Sequence, residues 1–220
     1  MTRKAKELQD PSTRDKIIDA ARAEFIDHGY DGARMQRIAG QSGANKAMIY
    51  YYFGNKRELY RQIFRQVVGR EFRNIIGIMK EDLPPEQKIR GLVERYVNLY
   101  RGNPGLVRLL MREIADEGDV LAGVLEEFGR ALEGFDYVGS VRKILQSENC
   151  RPLDARHTLM SLIGMCAAYF FFRPVADYVL EIPAGQSGKF ARERSGQVAD
   201  LILFGVMKSK GGGSGSAEKN

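Results

Sequence analysis

The chain has few of the residues that build metal sites, disulfide frameworks and redox centres. Its 220 residues include two cysteines, two histidines and no tryptophan. Cys150 and Cys166 do not form a CxxC pattern, so neither a disulfide framework nor a structural zinc site is indicated. His28 and His157 are far apart in the sequence and lack metal-ligand spacing. We therefore expect no metal site, and we expect the reducing cytoplasm as the location.

Motifs of the common catalytic sites are also missing. The sequence contains no GxSxG, no glycine-rich phosphate loop and no cysteine paired with a histidine. We therefore expect that the chain is not an enzyme and needs no cofactor.

Long hydrophobic runs are absent as well. The most apolar stretch, residues 159–172, is interrupted by Ser161 and Gly164, and a membrane-spanning helix needs about 20 apolar residues. The first ten residues are polar and are not followed by the apolar segment of a secretory signal. The apolar stretch is therefore predicted to be a buried core helix, with no membrane partner.

Positive charge is concentrated at one end of the chain. Residues 1–80 hold 16 lysines and arginines against 9 acidic residues, whereas the whole chain holds 34 against 28. The net charge of +6 therefore comes entirely from the N-terminal third. Such an asymmetry is typical of a protein that binds a polyanion with one end, and an ordinary solvated surface is the alternative.

Apolar residues recur at intervals of three and four along most of the chain, which predicts an all-α fold. Asn55 and Asp154 are placed to cap helices, and the third helix is predicted to begin near Asn45. One helix is predicted from Leu121 to Phe135. Glycines at 123, 129, 134 and 139 interrupt this region, and we expect them to serve close helix packing, with flexibility around a cavity as the alternative.

Three short N-terminal helices form the arrangement most informative about function. The first carries Ile17, Ala21 and Phe25 on one face and ends at Gly29, and the second and third are joined by a turn at Gly43. A small helical head of this kind is typical of a helix-turn-helix DNA-binding domain.

The same segment resembles the DNA-binding domain of the TetR family. The resemblance covers about Thr13 to Leu59 without a gap, and it is carried by the order, spacing and type of the residues. They are Ile17-Ile18-Asp19-Ala20-Ala21, Phe25, Gly29-Tyr30, Ile38-Ala39, Gly43-Ala44, Ile49-Tyr50-Tyr51-Tyr52-Phe53, Lys56 and Leu59.

The resemblance implies a set of residues that contact DNA. Lys46, Ala47 and Met48 fall where the family reads base edges, and a lysine there donates to guanine while small apolar groups touch thymine methyls. Gln36 falls where relatives reach a base or phosphate, and the tyrosines and Lys56 fall at phosphate or base-flanking positions. The predicted DNA-binding residues are Arg34, Gln36, Asn45, Lys46, Ala47, Met48, Tyr50, Tyr51, Tyr52 and Lys56.

The sequence departs from the family pattern at Arg34 and at Met48. A serine or threonine commonly caps the second helix at the position of Arg34 and bonds a phosphate. Arg34 can reach a phosphate but cannot cap, so the first turn of the second helix is expected to fray.

The C-terminal part is predicted to bind a small molecule. This part is rich in large side chains that are flexible or aromatic. In TetR relatives such side chains line adaptable pockets between helices, and ordinary core packing is the alternative for each of these residues. The predicted ligand-binding residues are Phe72, Met79, Tyr96, Tyr100, Met111, Phe128, Phe135, Met165 and Tyr169. Arg112, Glu113 and Arg173 border the apolar runs and are candidates to orient a polar group of the ligand, with surface positions as the alternative.

Taken together, these patterns predict a homodimeric, ligand-responsive repressor that binds palindromic double-stranded operator DNA and is released by a hydrophobic or aromatic small-molecule effector. Residues 1–56 are predicted as the helix-turn-helix domain, with a flexible basic arm over 1–11. A ligand-binding and dimerisation bundle follows over 57–207, and a Gly/Ser-rich disordered tail over 208–220. In the family the last two long helices pack against the twofold mate. The alternative function is a ligand-independent architectural or division-linked DNA-binding protein whose C-terminal domain binds a protein partner.

Overall fold

The structure is a computed structural model that describes residues 11–131 and 136–208. Eleven helices lie within these ranges. They are α1 (Pro11–Gly32), α2 (Met35–Ser42), α3 (Lys46–Phe53), α4 (Lys56–Lys80), α5 (Pro85–Gly102), α6 (Pro104–Ala115), α7 (Asp119–Ala131), α8 (Tyr137–Leu145), α9 (Ala155–Phe171), α10 (Arg173–Val179) and α11 (Ser187–Val206). One isolated antiparallel bridge joins Cys150 and Met207, and no strand is formed in the described ranges. The predicted all-α fold is confirmed.

The helices form two compact units. The first contains the chain up to Ile76 and returns from Gly102 through α7, and the second contains Gly77–Arg101 and the chain from Asp136 onward. The helix-turn-helix segment thus shares a unit with most of α4 and with α6 and α7. The domain division predicted between residues 56 and 57 remains a prediction.

Apolar side chains from α1 to α4 form the core that positions the helix-turn-helix. Ile17, Phe25, Ile38, Ile49 and Ile63 are fully shielded from solvent. These are the residues that the three- and four-residue spacing placed on inward faces. Burial of this kind contributes about 1.5–3 kcal/mol for each large aliphatic or aromatic side chain, so it fixes how the short helices pack.

Glycines shape the turns of this unit. Gly43 has a left-handed φ of 69° at the C-terminus of α2 and makes the predicted turn. Gly29 has φ 70° and ψ −179°, which are not helical, so α1 consists of two helical parts that meet in a kink at this residue. The first part therefore ends at Gly29 as predicted, in a conformation that is essentially restricted to glycine.

The helix predicted from Leu121 corresponds to α7, and its predicted end at Phe135 lies outside the described residues. The helix α8 begins at Tyr137 after the extended Asp136, whose carboxylate accepts a hydrogen bond of 2.7 Å from the N–H of Gly139. The short helix α10 was not predicted. A Cβ added at Gly123 or Gly129 would meet no atom within 4 Å, so close packing does not explain these two glycines.

Some predictions concern residues outside the described ranges. These are the basic arm as far as residue 10, Phe135 among the ligand-binding residues, and the tail from residue 209. Among the helices that the structure describes, no single one has the length and apolarity of a membrane span. The bent pair α9 and α10 passes that test jointly, by length and composition only.

Candidate nucleic-acid interface

The helix α3 presents a polar outer face above a buried inner one. The side chain of Asn45 accepts a hydrogen bond of 2.8 Å from the N–H of Met48 and so caps the helix, which begins at the next residue. Ile49 and Phe53 anchor the inner face in the core. The first turn of α3 is therefore held by its own cap and by apolar packing on one side.

The predicted DNA-reading residues of α3 divide by exposure. Lys46 and Ala47 are exposed, and the tyrosines at 50 and 51 are 46% and 65% exposed. Met48 and Tyr52 are half-buried against the core, and the ring of Tyr52 lies in contact with that of Tyr51. The candidate DNA-binding surface is thus one side of α3, with Met48 and Tyr52 at its margin.

Lys56 lies at the first residue of α4 and is held by the end of α1. Its Nζ donates to the carbonyl of Asp31 at 3.3 Å and lies 4.8 Å from the centre of the Tyr30 ring. The cation–π contact fixes the ammonium group without neutralising it. Lys56 therefore remains a positive charge at the start of a helix, as a phosphate contact requires.

The predicted contacts on α2 are exposed, and a residue that sequence reasoning missed organises them. Arg34 and Gln36 both face solvent. Arg34 makes no side-chain cap, but its N–H donates to Oε1 of Glu24 at 2.8 Å. The same oxygen accepts from Nε of Arg37 at 2.7 Å. The first turn of α2 is intact, with hydrogen bonds from Arg37 and Ile38 to the carbonyl of Arg34, so the predicted fraying is wrong.

The carboxylate of Glu24 is buried, with its side chain 1% exposed. Burial opposes ionisation, but the hydrogen bonds from Arg37 and from the backbone of Arg34 outweigh it, so the pKa of Glu24 lies below its usual value. The sequence does carry a signal for this role. Glu24 lies on the apolar stripe of α1, three residues after Ala21, and a buried acid needs a partner.

Arg112 and Glu113 support the fold of the first unit and are not free to orient a ligand. Arg112 donates to the carbonyls of Phe25, Ile26 and Asp27 at 3.3, 2.8 and 3.3 Å, just before the kink in α1. Glu113 accepts hydrogen bonds from the N–H groups that begin α7. The orienting role considered for these residues is therefore replaced by a structural one. Arg173 lies 3.6 Å from Asp177 and is half exposed.

An ion-pair cluster joins α4 to α7 within the same unit. Glu127 accepts hydrogen bonds from Arg61 at 3.0 Å and from Arg65 at 2.8 Å. The hydrogen bond from Arg65 is the main cause that lowers the pKa of Glu127. Two helices outside the helix-turn-helix segment are thus attached to it, α6 through α1 and α7 through α4.

The predicted ligand-binding residues are divided between the two units. Phe72, Met111 and Phe128 belong to the first unit. Met79, Tyr96, Tyr100, Met165 and Tyr169 belong to the second. Met111 and Met165 are exposed, and the ring of Phe128 fills the space where a Cβ of Gly69 would stand. For Phe128, packing against α4 is the role that the structure shows.

Two tyrosine hydroxyls form a hydrogen bond inside the second unit. The hydroxyls of Tyr96 and Tyr137 share a hydrogen bond of 2.7 Å, and the thiol of Cys166 is buried nearby. Burial raises the pKa of Tyr137 to about 12 and that of Cys166 to about 12. Tyr169 bonds the carboxylate of Asp177 at 2.9 Å. In the described residues, no three acidic, histidine or cysteine side chains are arranged to hold a metal ion.

The fold and this interface define a helix-turn-helix DNA-binding protein. The profile of the family described as "Bacterial regulatory proteins, tetR family" matches residues 17–63. The chain is 30% identical to the HTH-type transcriptional repressor NicS of Pseudomonas putida over 72% of this chain and 75% of that protein. It is 36% identical to the HTH-type transcriptional repressor SCO4008 of Streptomyces coelicolor over half of this chain and 54% of that protein.

A solved structure shows the same fold. The regulator FadR from Bacillus subtilis in complex with stearoyl-CoA has a TM-score of 0.66 and 22% identity, and the match covers 87% of this chain and 98% of that one. The chain belongs to the TetR family of transcriptional regulators. It is accordingly a regulator and not an enzyme.

Proposed function

We propose that the chain is a repressor that binds palindromic operator DNA as a homodimer and is released by a hydrophobic or aromatic small molecule. The observation that carries this proposal is the outer face of α3, where Lys46, Ala47, Tyr50 and Tyr51 are exposed beside a capped helix start. An exposed helix face held by a rigid core is what insertion into the major groove requires.

The roles of the interface residues follow from their chemistry. Lys46 donates to guanine O6 or N7, and Ala47 and Met48 contact thymine methyls. Gln36 and Asn45 contact a base or phosphate, while Arg34, Tyr50, Tyr52 and Lys56 bind the phosphate backbone and Tyr51 lies beside the bases. Phosphate contacts supply most of the affinity, and the α3 side chains supply sequence preference.

Exposed apolar side chains on α9 and α11 support the homodimer. Met160, Leu201 and Phe204 are 71%, 61% and 89% exposed in the single chain. Large apolar side chains clustered on a surface mark an interaction site, and two such helices from each subunit form a four-helix bundle. Dimerisation gives the two reading helices that a palindrome requires.

The effector is proposed to be apolar because the side chains available to surround it are apolar. Buried side chains of this kind in the second unit are Met79, Tyr96, Tyr100 and Tyr169. Among them, the hydrogen-bonded hydroxyls of Tyr96 and Tyr137 are groups to which a ligand could hydrogen-bond. The FadR relative was solved with stearoyl-CoA, a molecule with a long apolar chain.

Release of the dimer from DNA is proposed to follow from a change in the separation of its two recognition helices. Two recognition helices must lie about 34–36 Å apart to enter successive major grooves. An effector that binds a state with another separation shifts the population off DNA by its differential affinity. The continuous helix α4 is the proposed lever, because it begins at Lys56 and its last turn holds Met79.

Selection of bound sequences from random duplex DNA tests this function. We expect a palindrome with half-sites about one helical turn apart. K46A should lose the preference at one position of each half-site, with about 1–3 kcal/mol less discrimination. K143A, an exposed lysine on α8, is the control and should select the wild-type sequence. Equal, weak binding of all duplexes would refute the proposal.

A thermal-shift screen against apolar small molecules separates the proposal from a ligand-independent DNA-binding protein. A ligand that binds only the folded state stabilises it as its concentration exceeds its dissociation constant. Hits that also lower operator affinity support a ligand-responsive repressor. An operator-binding protein that responds to none of them, and whose DNA binding changes only with a protein partner, would favour the architectural alternative.

A further inference from the structure

Arg14 lies on the inward stripe of α1, although it is charged. Ile18 and Ala21, four and seven residues after it, occupy the same face of the helix, and both are buried in the core. Arg14 itself is half-buried. The aliphatic stem of an arginine packs on an apolar surface while its guanidinium stays at the edge of that surface. The position therefore brings a positive charge to the rim of the core that supports the helix-turn-helix.

The guanidinium of Arg14 lies over an aromatic ring and not beside a carboxylate. Its Cζ is 5.4 Å from the centre of the Phe53 ring. Within the described residues, Arg14 forms no ion pair and no side-chain hydrogen bond. A cation–π contact orients a guanidinium but leaves its charge and its N–H donors available. Arg14 therefore keeps the capacity to bind an anion.

A similar contact holds Lys56, the proposed phosphate contact at the start of α4. Its Nζ lies 4.8 Å from the centre of the Tyr30 ring. Phe53, on which Arg14 stacks, is the last residue of α3, and Lys56 follows three residues later as the first residue of α4. Aromatic rings thus hold two cations, one at the end of α3 and one at the start of α4.

The contact with Phe53 places Arg14 at the end of α3 that is closest to the DNA backbone in the proposed complex. The first residues of a recognition helix contact base edges. The eight residues of α3 span about 12 Å, which is about the width of the major groove. When its first residues are at the bases, its last residues are therefore level with the phosphates at the edge of the groove. The ring of Phe53 lies 6.1 Å from that of Tyr52, a proposed phosphate contact.

We infer that Arg14 binds a phosphate of the DNA backbone, as a contact from α1 in addition to those proposed on α2, α3 and α4. This inference rests on the proposed DNA-binding function. The planar guanidinium donates two parallel hydrogen bonds to phosphate oxygens. Phosphate contacts carry no sequence information. Arg14 therefore contributes affinity and salt dependence, and it does not contribute sequence preference.

The salt dependence of DNA affinity tests the inference, because its slope reports the number of phosphate contacts. R14Q should reduce the slope of log affinity against log salt concentration by about one for each subunit. Its affinity should fall by a similar factor for the selected operator and for a random-sequence duplex of the same length. R14K keeps the positive charge and should retain most of the slope. Fluorescence anisotropy at several salt concentrations measures these values, and thermal unfolding shows whether each variant is folded.

The matched control is K16Q, which removes a positive charge from the same turn of α1 at an exposed position. Its slope should equal that of the wild type. An equal reduction in K16Q and R14Q would show an effect of net charge alone and overturn the inference. An unchanged slope in R14Q would also overturn it, even with weaker binding, because loss of the stacking on Phe53 alone would give that result. Operator selection by the wild type does not depend on these variants, so a failure of the inference is distinguishable from a failure of the proposed repressor function.

Discussion

Glu24, on the neighbouring helix α1, holds the residue that precedes α2. The position before α2 is Arg34, which cannot cap, and the buried carboxylate of Glu24 binds both its N–H and the side chain of Arg37. The start of α2, and with it Arg34 and Gln36, is therefore fixed by a residue ten positions earlier. Glu24 is a positioning residue, because its own side chain is buried and does not form part of the proposed DNA-binding surface.

We predict that E24Q lowers the free energy of unfolding by about 1.5–3 kcal/mol, since it loses the charged hydrogen bonds at a buried site. Operator affinity should fall with it. R34S keeps the backbone N–H that donates to Glu24, so the effect of E24Q should be of similar size in an R34S background. Denaturant unfolding and operator titration of the four proteins measure both effects, with the exposed acid variant E94Q as control. Loss of the E24Q effect in the R34S background would contradict the role assigned to the N–H of Arg34.

The pH dependence of stability provides an independent readout of Glu24. Because its pKa is lowered in the folded protein, its contribution is present above the unfolded value of about 4.3 and is lost as pH falls through the folded pKa. The difference in stability between wild type and E24Q should therefore shrink below about pH 4.3. A constant difference down to the acid transition would mean that the charge of Glu24 is not the cause.

At the scale of the element, α3 is a short helix whose start depends on one side chain. Its eight residues make about two turns, too few to be stable alone. The cap from Asn45 and the burial of Ile49 and Phe53 provide the stability that the intrinsic helix propensity of eight residues does not. The orientation of Lys46 and Tyr50 therefore depends on capping and packing together.

N45A should lower the free energy of unfolding by about 1 kcal/mol, because the N–H of Met48 loses its acceptor. N45S, which keeps a capping oxygen, should restore stability. We expect N45S to restore only part of the operator affinity, since its shorter side chain does not reach the DNA contact proposed for the amide. Thermal unfolding and operator titration measure the two effects. Full recovery of affinity in N45S would show that Asn45 acts only as a cap.

At the scale of the whole molecule, the unit that contains the helix-turn-helix also contains helices from later in the chain. α6 and α7 belong to the unit that contains the helix-turn-helix, attached by Arg112 to α1 and by Glu127 to α4. A signal that moves α6 or α7 therefore acts directly on the body that carries the reading helix.

F204R is predicted to dissociate the proposed dimer. Phe204 is 89% exposed on α11, and a buried unpaired charge in an interface costs several kcal/mol, which corresponds to more than about a hundredfold in affinity. Size-exclusion chromatography with light scattering measures the mass. Y178R, at a residue of α10 that is 86% exposed, serves as the comparison. Dissociation by Y178R with an intact F204R dimer would place the interface on α10.

The amino-acid sequence by itself determined the helical class, the helix-turn-helix and the exposed face of α3. These features depend on local spacing, on turns such as Gly43 and on caps such as Asn55 and Asp154. Interactions between residues close in the sequence can be inferred from the sequence alone. Only the tertiary structure decided that Glu24 anchors α2, that Arg112 binds carbonyls of α1, and that α7 and α8 are separate helices. Each of these features depends on a contact between residues that are distant in the sequence. The periodicity of apolar residues shows which face of a helix is buried, but it does not identify the residue that packs against that face.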